Sequence, residues 1–263
     1  MTSSHDLILG WRNCDLASPP YFFPADKPHI GRGEFMIFQS FDEYVASVEF
    51  GLSSDTSLHT GLLPLPFAGN LEKASIFVLM LNPGLSAGDY FAEQRIREFR
   101  EAHIRNLRQE NSDDEYPFVF LNTQFAWHPG FEYWKKKLDN IIGELAKHDG
   151  ITYQQAMSKL AKNMACLELI PYHSKRFPSI LSFNNLPSMV MMRKFVNEIV
   201  LPKAINGETI IIVTRGAKIW NLNLPNDEQR NIIIYKKSEA RSAYLSKTSP
   251  GGKAILKHFG IVS

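Results

Sequence analysis

The sequence predicts an α/β fold, three-layer α/β/α, around a central and mostly parallel four-stranded sheet. Three observations predict it. Residues 76–81, Ile-Phe-Val-Leu-Met-Leu, are apolar on both faces, as a strand inside a helix-covered parallel sheet is. Three further strand-like runs follow, at 164–170, 209–213 and 232–235. Between consecutive runs lies a segment able to form a helix, the alternation that parallel strands with right-handed crossovers require.

In chain order, the first 39 residues are rich in Pro, Gly and aromatic residues, with Pro19-Pro20-Tyr21-Phe22-Phe23-Pro24 the densest stretch. They read as an extended N-terminal arm lying on the domain, because aromatic groups at that density would be sticky if left free. Ser40-Phe-Asp-Glu43 is a capping-box signature and Gly51 a stop, which predicts a helix over 41–50. Pro64 and Pro66 break the chain before the first strand. Over 91–110, Ile96, Phe99, His103, Ile104 and Leu107 share one face among many charges, the pattern of an amphipathic helix. Phe131, Trp134, Leu138, Ile141, Ile142 and Leu145 repeat at helical spacing, and Thr152-Tyr-Gln-Gln155 caps a further helix ending near Asn163. Residues of about 90–163 are thus a helical insertion between the first two strands. Pro187 suits the first turn of a helix to about 200, and 216–222 a shorter one. Ser249 as cap, Pro250 in the first turn and Gly260 as stop bracket the last. The whole, 1–263, is expected to be a single domain.

With 44% hydrophobic and 21% charged residues, the chain is outside the collagen-like, disordered and coiled-coil classes. The longest clean apolar run is far short of the roughly 20 residues a membrane span needs. The first six residues lack the basic start of a signal peptide. Cys14 and Cys166, the two cysteines, cannot supply a disulfide framework, a four-thiolate zinc site or an iron–sulfur cluster. The expectation is a reduced, cytoplasmic protein, a monomer with no membrane partner. The eight His show no His-x₃-His spacing, and there is no Gly-x-Ser-x-Gly elbow or Walker-type phosphate loop. No metal and no cofactor is expected. A net charge of +2 leaves nucleic acid neither demanded nor excluded.

In such sheets the ligand sits beyond the carboxyl ends of the strands. The first strand leads into Asn82-Pro83-Gly84-Leu85-Ser86-Ala87-Gly88-Asp89-Tyr90, a rigid turn with exposed backbone N–H groups. The second leads into Pro171-Tyr172-His173-Ser174-Lys175-Arg176, and the third into Thr214-Arg215-Gly216. The fourth leads into a loop holding Arg241, Ser242, Tyr244, Leu245, Ser246 and Lys247. All four bring polar, basic and aromatic groups to one edge, which describes a site.

A buried strand followed by Asn-Pro-Gly-Leu-Ser resembles the first active-site motif of the uracil-DNA glycosylase superfamily, in its mismatch-specific branch. The order of four strands is similar too, over roughly residues 65–260. The second motif of that superfamily, His-Pro-Ser or Asn-Pro-Ser before a Leu-Ser pair, is matched here by Arg241-Ser242-Ala243-Tyr244 and then Leu245-Ser246. The Leu-Ser is present and the His/Asn-Pro is not. The resemblance implies a uracil-DNA glycosylase-like fold and a monofunctional, metal-independent DNA glycosylase. It would hydrolyse the N-glycosidic bond of a flipped uracil-like, damaged or modified base, in DNA repair or in defence against phage DNA. It also implies that Asn82 positions the attacking water.

The remaining roles weigh a functional reading against a bland one. Asp89 can activate that water or simply cap the helix beyond it. His173 can donate to or titrate with the base, or be an ordinary hydrogen-bonded core histidine. Arg241 can steady an anionic leaving base, hold a phosphate, or be solvated. Pro83, Gly84, Tyr90 and Tyr172 are the candidate base pocket, although aromatic residues there are more often core. Ser174, Lys175, Arg176, Ser242, Leu245, Ser246 and Lys247 are candidate DNA contacts. Ser249-Pro250-Gly251-Gly252 reads as a phosphate-binding helix start. Lys135, Lys136 and Lys137 read as a solvated helix face. The alternative reading is a catalytically silent nucleic-acid- or nucleotide-binding protein with the same fold.

Overall fold

Capping residues and apolar runs set most of the secondary structure seen in the computed structural model. It describes residues 3–31, 33–178, 183, 186–224, 231–236, 238–239 and 244–261. In chain order the elements are α1 (Ser3–Arg12), β1 (Phe35–Met36), α2 (Phe41–Ala46), α3 (Val48–Gly51), β2 (Leu58–His59), β3 (Phe67–Ala68), β4 (Ile76–Met80), α4 (Ala87–Arg95) and α5 (Arg97–Arg108). They continue with α6 (Pro129–Asp149), α7 (Tyr153–Asn163), β5 (Met164–Glu168), α8 (Pro187–Phe195), α9 (Leu201–Ile205), β6 (Ile210–Val213), α10 (Ala217–Trp220), β7 (Ile232–Ile234) and α11 (Pro250–His258).

The sheet is mixed and mostly parallel, with the order β3-β5-β4-β6-β7. β4 pairs parallel with β6, Ile76 opposite Ile210, and β6 pairs parallel with β7, Ile211 opposite Ile232. It has five strands where four were expected. The addition is β3, only two residues long, and so short a strand carries no readable period.

Local chemistry explains where other elements depart from expectation. The helix over 41–50 is two pieces, because Ser47 is extended and its hydroxyl donates to the Tyr44 carbonyl. The helix over 91–110 is also two, α4 and α5, parted at an extended Ile96. α4 starts earlier than the apolar pattern does because Ser86 and Asp89 form a capping box. The N-terminal segment begins not as an extended arm but with α1, which packs on α5 and α8 and buries Leu7 and Trp11 at i, i+4 spacing. His128, which periodicity leaves unassigned, is the N-cap of α6, its Nδ1 accepting from Gly130 N at 3.0 Å.

The chain forms two compact units interleaved in sequence. The first comprises Met1–Phe67, Leu81–Glu110 and Glu168–Phe195. Its core includes Trp11 against Phe23, and a cluster of Phe38, Tyr44, Leu62 and Tyr90. The second comprises Ala68–Met80, Asn111–Leu167 and Val196–Ser263, and holds the sheet apart from one residue each of β3 and β5. β4, β5 and β6 are buried throughout their middle positions, while β7 is buried only at Ile232, and α6 packs on α7 and α11. Cys14 and Cys166 are both buried, and neither is in a disulfide.

Candidate functional site

Within the first unit, the chain leaving β4 and the chain leaving β5 run side by side. Ile170 N donates to Leu81 O at 2.8 Å, and Ser174 N donates to Pro83 O at 3.3 Å. Asn82 and His173 therefore come from separate stretches of sequence to one place. Pro83 is buried and Gly84 exposed at the turn between them.

The side chains lock this pairing. Asn82 Nδ2 donates to Pro83 O at 2.9 Å and to Ser174 Oγ at 2.8 Å. Ser174 in turn donates its one hydroxyl hydrogen to Arg176 O at 2.7 Å. Both amide hydrogens of Asn82 are thereby used, and its Oδ1 takes no hydrogen bond from any described residue. His173 is 3% exposed; its Nδ1 lies 2.8 Å from Gly84 O. A carbonyl only accepts, so Nδ1 carries the proton and Nε2 is a bare acceptor in the neutral ring. Nε2 is buried and no described protein group reaches it.

A second set of polar groups stands behind these two loops. His59 N donates to His173 O at 2.8 Å, while the His59 ring lies between Asp55 Oδ2 at Nε2 and the Tyr90 hydroxyl at Nδ1, 3.0 Å each. Burial tends to raise Asp55, but hydrogen bonds from Ser57 and His59 outweigh it and hold the carboxyl below its ordinary value. Burial, chiefly, pushes His59 down. The ring is thus neutral, donates from Nε2 to the carboxylate, and accepts the Tyr90 proton at Nδ1. No sequence signal marks His59; only the i, i+4 spacing from Asp55 hints at the pair.

Several expected site residues have other duties. Tyr90 is fully buried among Phe38, Tyr44 and His59, and Tyr172 is 1% exposed. The Tyr172 hydroxyl donates to Asp26 Oδ2 at 2.7 Å and accepts from Phe23 N at 3.1 Å. Neither ring offers a face to a base, so neither is a pocket wall; each hydroxyl finds its partner inside the core. Asp89 accepts through Oδ2 from Ser86 N at 2.6 Å and Ser86 Oγ at 2.8 Å, the bland capping reading. Lys175 donates to the carbonyls of Glu49, Phe50 and Leu52, closing the end of α3, and so is not the phosphate contact expected of it. Ser174 is buried and holds Asn82, while Arg176 is exposed.

In the second unit, Arg241 and Ser242 lie outside the described residues. Leu245 is fully buried and is therefore no DNA contact, and Lys247 is paired with Glu144 at 3.0 Å. Ser246 forms a tight turn, its carbonyl accepting from Ser249 N and Oγ. A Cβ on Gly252 would stand 1.8 Å from that carbonyl, so only glycine fits. Gly251 N donates to the Tyr235 hydroxyl and Gly252 N to Ser249 Oγ. The donors expected to cradle a phosphate at this helix start are thus already engaged. Lys137 is not solvated: it is 7% exposed, its ammonium 4.8 Å from the Tyr133 ring, and burial pushes it down to about 8.

Among the described residues no group of three His, Cys, Asp or Glu is placed to hold a metal ion. No helix among them is long and apolar enough to cross a membrane. Comparison with protein-family models, with curated proteins and with solved structures finds no match to the chain.

Proposed function

We propose that the protein is a DNA glycosylase that hydrolyses the N-glycosidic bond of a flipped base. The observation that carries this reading is the state of Asn82. Both its amide hydrogens are given to protein acceptors, which fixes the side chain beyond β4 and leaves Oδ1 as its uncommitted acceptor. A dissociative glycosidic reaction asks little more of the protein at the nucleophile. The C1′–N bond breaks and its electron pair leaves with the base. A water oxygen then bonds C1′; one hydrogen stays on the new hydroxyl and the other leaves as a proton to solvent or base. An amide oxygen cannot deprotonate water strongly, but it can hold the molecule in line while the sugar cation forms. The strand order β5-β4-β6-β7 supports the uracil-DNA glycosylase-like, three-layer reading of the fold. Base excision in repair or in defence against modified phage DNA is the setting such chemistry would serve.

One observation favours the alternative, a silent nucleotide- or nucleic-acid-binding protein. Asp89, the carboxylate nearest in sequence, is engaged in its capping box, so Asn82 has no acidic helper there. The two readings separate on one experiment. Oligonucleotides carrying uracil, mismatched bases and modified cytosines are incubated with the protein, and abasic sites are revealed by alkaline cleavage. Cleavage that falls by about a hundredfold or more in Asn82→Ala is expected. Retained DNA binding with no abasic product on any substrate would leave the silent reading in place.

A further inference from the structure

Asn82 is tied to the loop after β5 by a short chain of hydrogen bonds that runs in one direction. Its Nδ2 reaches two acceptors, Pro83 O at 2.9 Å and Ser174 Oγ at 2.8 Å. Pro83 is the next residue along the chain, so its carbonyl alone lets the side chain pivot. Ser174 lies 92 residues further on, and its own N–H donates to the same Pro83 carbonyl at 3.3 Å. It thereby tethers residues 82 and 83 to a second loop. The direction of the chain is set one step beyond. A hydroxyl has one hydrogen, and Ser174 gives it to Arg176 O at 2.7 Å, so towards Asn82 it can only accept. Arg176 is held in turn, its N–H donating to Asp55 O at 3.1 Å. Ser174 is 1% exposed, so bulk water does not compete for its hydroxyl.

We propose that Ser174 is a positioning residue for base release, its hydroxyl fixing the plane of the Asn82 amide and so the direction in which Oδ1 holds water. The inference rests on the glycosylase reading for its chemical consequence, whereas its geometry stands without it. The two hydrogens of an amide nitrogen lie in the amide plane and point apart. Two acceptors therefore fix that plane, and one alone leaves it free to turn. Polarity matters as much as the plane. An acceptor takes a hydrogen of the water and leaves the oxygen lone pair open to form the bond to C1′. A donor in its place would engage that same lone pair. Without the Ser174 hydroxyl the amide pivots on Pro83 O, and the water it holds drifts out of line, which costs rate rather than affinity.

Ser174→Ala tests this on oligonucleotides carrying uracil, mismatched bases and modified cytosines, using whichever base the unaltered protein releases. Single-turnover release is expected to fall by about tenfold or more. Binding, measured by anisotropy on a 2′-fluorinated sugar that resists glycosidic cleavage, should hold within about twofold. In an Asn82→Ala background the same change should cost no further rate, because Ser174 acts through Asn82. Damage to the fold alone would slow both backgrounds by the same factor. A second readout needs no activity. By NMR of isotope-labelled protein, the Asn82 side-chain hydrogens are those whose signals vanish in Asn82→Ala. They should exchange with water about tenfold or more slowly than those of the exposed Asn140, and Ser174→Ala should abolish that difference for at least one of them.

Release that is as fast in Ser174→Ala, or slowed by one factor with and without Asn82, overturns the inference and leaves a glycosylase. No release from any base, with slow Asn82 hydrogens that Ser174→Ala sets free, overturns the glycosylase reading and supports the tether. Should Ser174→Ala melt early, exchange in the unaltered protein still decides: two slow hydrogens support the inference, and hydrogens as fast as those of Asn140 overturn it. Neither release nor slow exchange overturns both.

Discussion

Two buried carboxylates stand behind the paired loops, and they behave in opposite ways. Asp26 accepts three hydrogen bonds: from Ser188 N at 2.8 Å, from Ser188 Oγ at 2.5 Å and from the Tyr172 hydroxyl. Asp55 accepts from Ser57 N and from the His59 ring, which in turn takes the Tyr90 proton. Burial nevertheless raises Asp26 above its ordinary value, while Asp55 is lowered. The number of bonds does not decide; depth does. Asp26 is fully buried, so desolvation outweighs its hydrogen bonds, whereas at Asp55 the hydrogen bonds from Ser57 and His59 outweigh a smaller desolvation. Each carboxylate anchors one loop, Asp26 through Tyr172 beside His173 and Asp55 through Tyr90 beside Asp89. One anchor is direct and the other is relayed through an imidazole.

The comparison breaks most visibly on deletion. Asp26→Ala strands three buried donors and removes the carboxylate that receives the first backbone N–H of α8, that of Ser188, so a loss of about 3 kcal/mol or more is expected in denaturant unfolding. His59→Ala strands the Tyr90 hydroxyl and leaves a ring-sized void, but Asp55 keeps its Ser57 bond; about 2 kcal/mol is expected. Removing the two tyrosine hydroxyls sharpens the contrast. Tyr172→Phe also strands Phe23 N and should cost about 1 kcal/mol more than Tyr90→Phe, which strands only an acceptor.

The smallest difference is in pH dependence, and it has opposite signs at the two anchors. As pH falls below 6.5 the unfolded chain protonates residue 59 while the folded chain, with His59 lowered, does not. Stability is then lost towards the folded value, and Asp55 adds a further loss below 3.8. Asp26 does the reverse: between 3.8 and its raised value the folded chain holds a proton the unfolded chain has released, so acidification stabilises. Melting temperatures from pH 4 to 7 should therefore flatten in His59→Ala and fall more steeply towards acid in Asp26→Asn.

What could be read from the chain divides along the range of the forces involved. The caps at Ser40, Thr152 and Ser249 are seen because donor and acceptor lie three residues apart, and all three hold. β4 and β6 are seen because burial on both faces writes itself as an unbroken apolar run. Asn82 and His173 were placed at strand ends, and the structure brings their loops together. The duties of Tyr172, Tyr90 and Lys175 were not legible, since each depends on a partner from a remote stretch: Asp26, His59, and the carbonyls ending α3. Lys137 shows the same limit. A run of three lysines looks solvated until the ring of Tyr133 and the packing of its helix bury one of them.

The three-part make-up of the unit holding Asn82 has a consequence for synthesis. Its last stretch, Glu168–Phe195, supplies His173, Ser174 and the helix that receives Asp26. A nascent chain that has emerged only as far as the second stretch holds Asn82 but not the hydroxyl that orients it. Completion of the unit is therefore late and non-local, which slows folding and lengthens the time its apolar surface is open to chaperones. Ribosome-stalled chains should gain protease resistance across residues 1–110 only once Phe195 has cleared the exit tunnel.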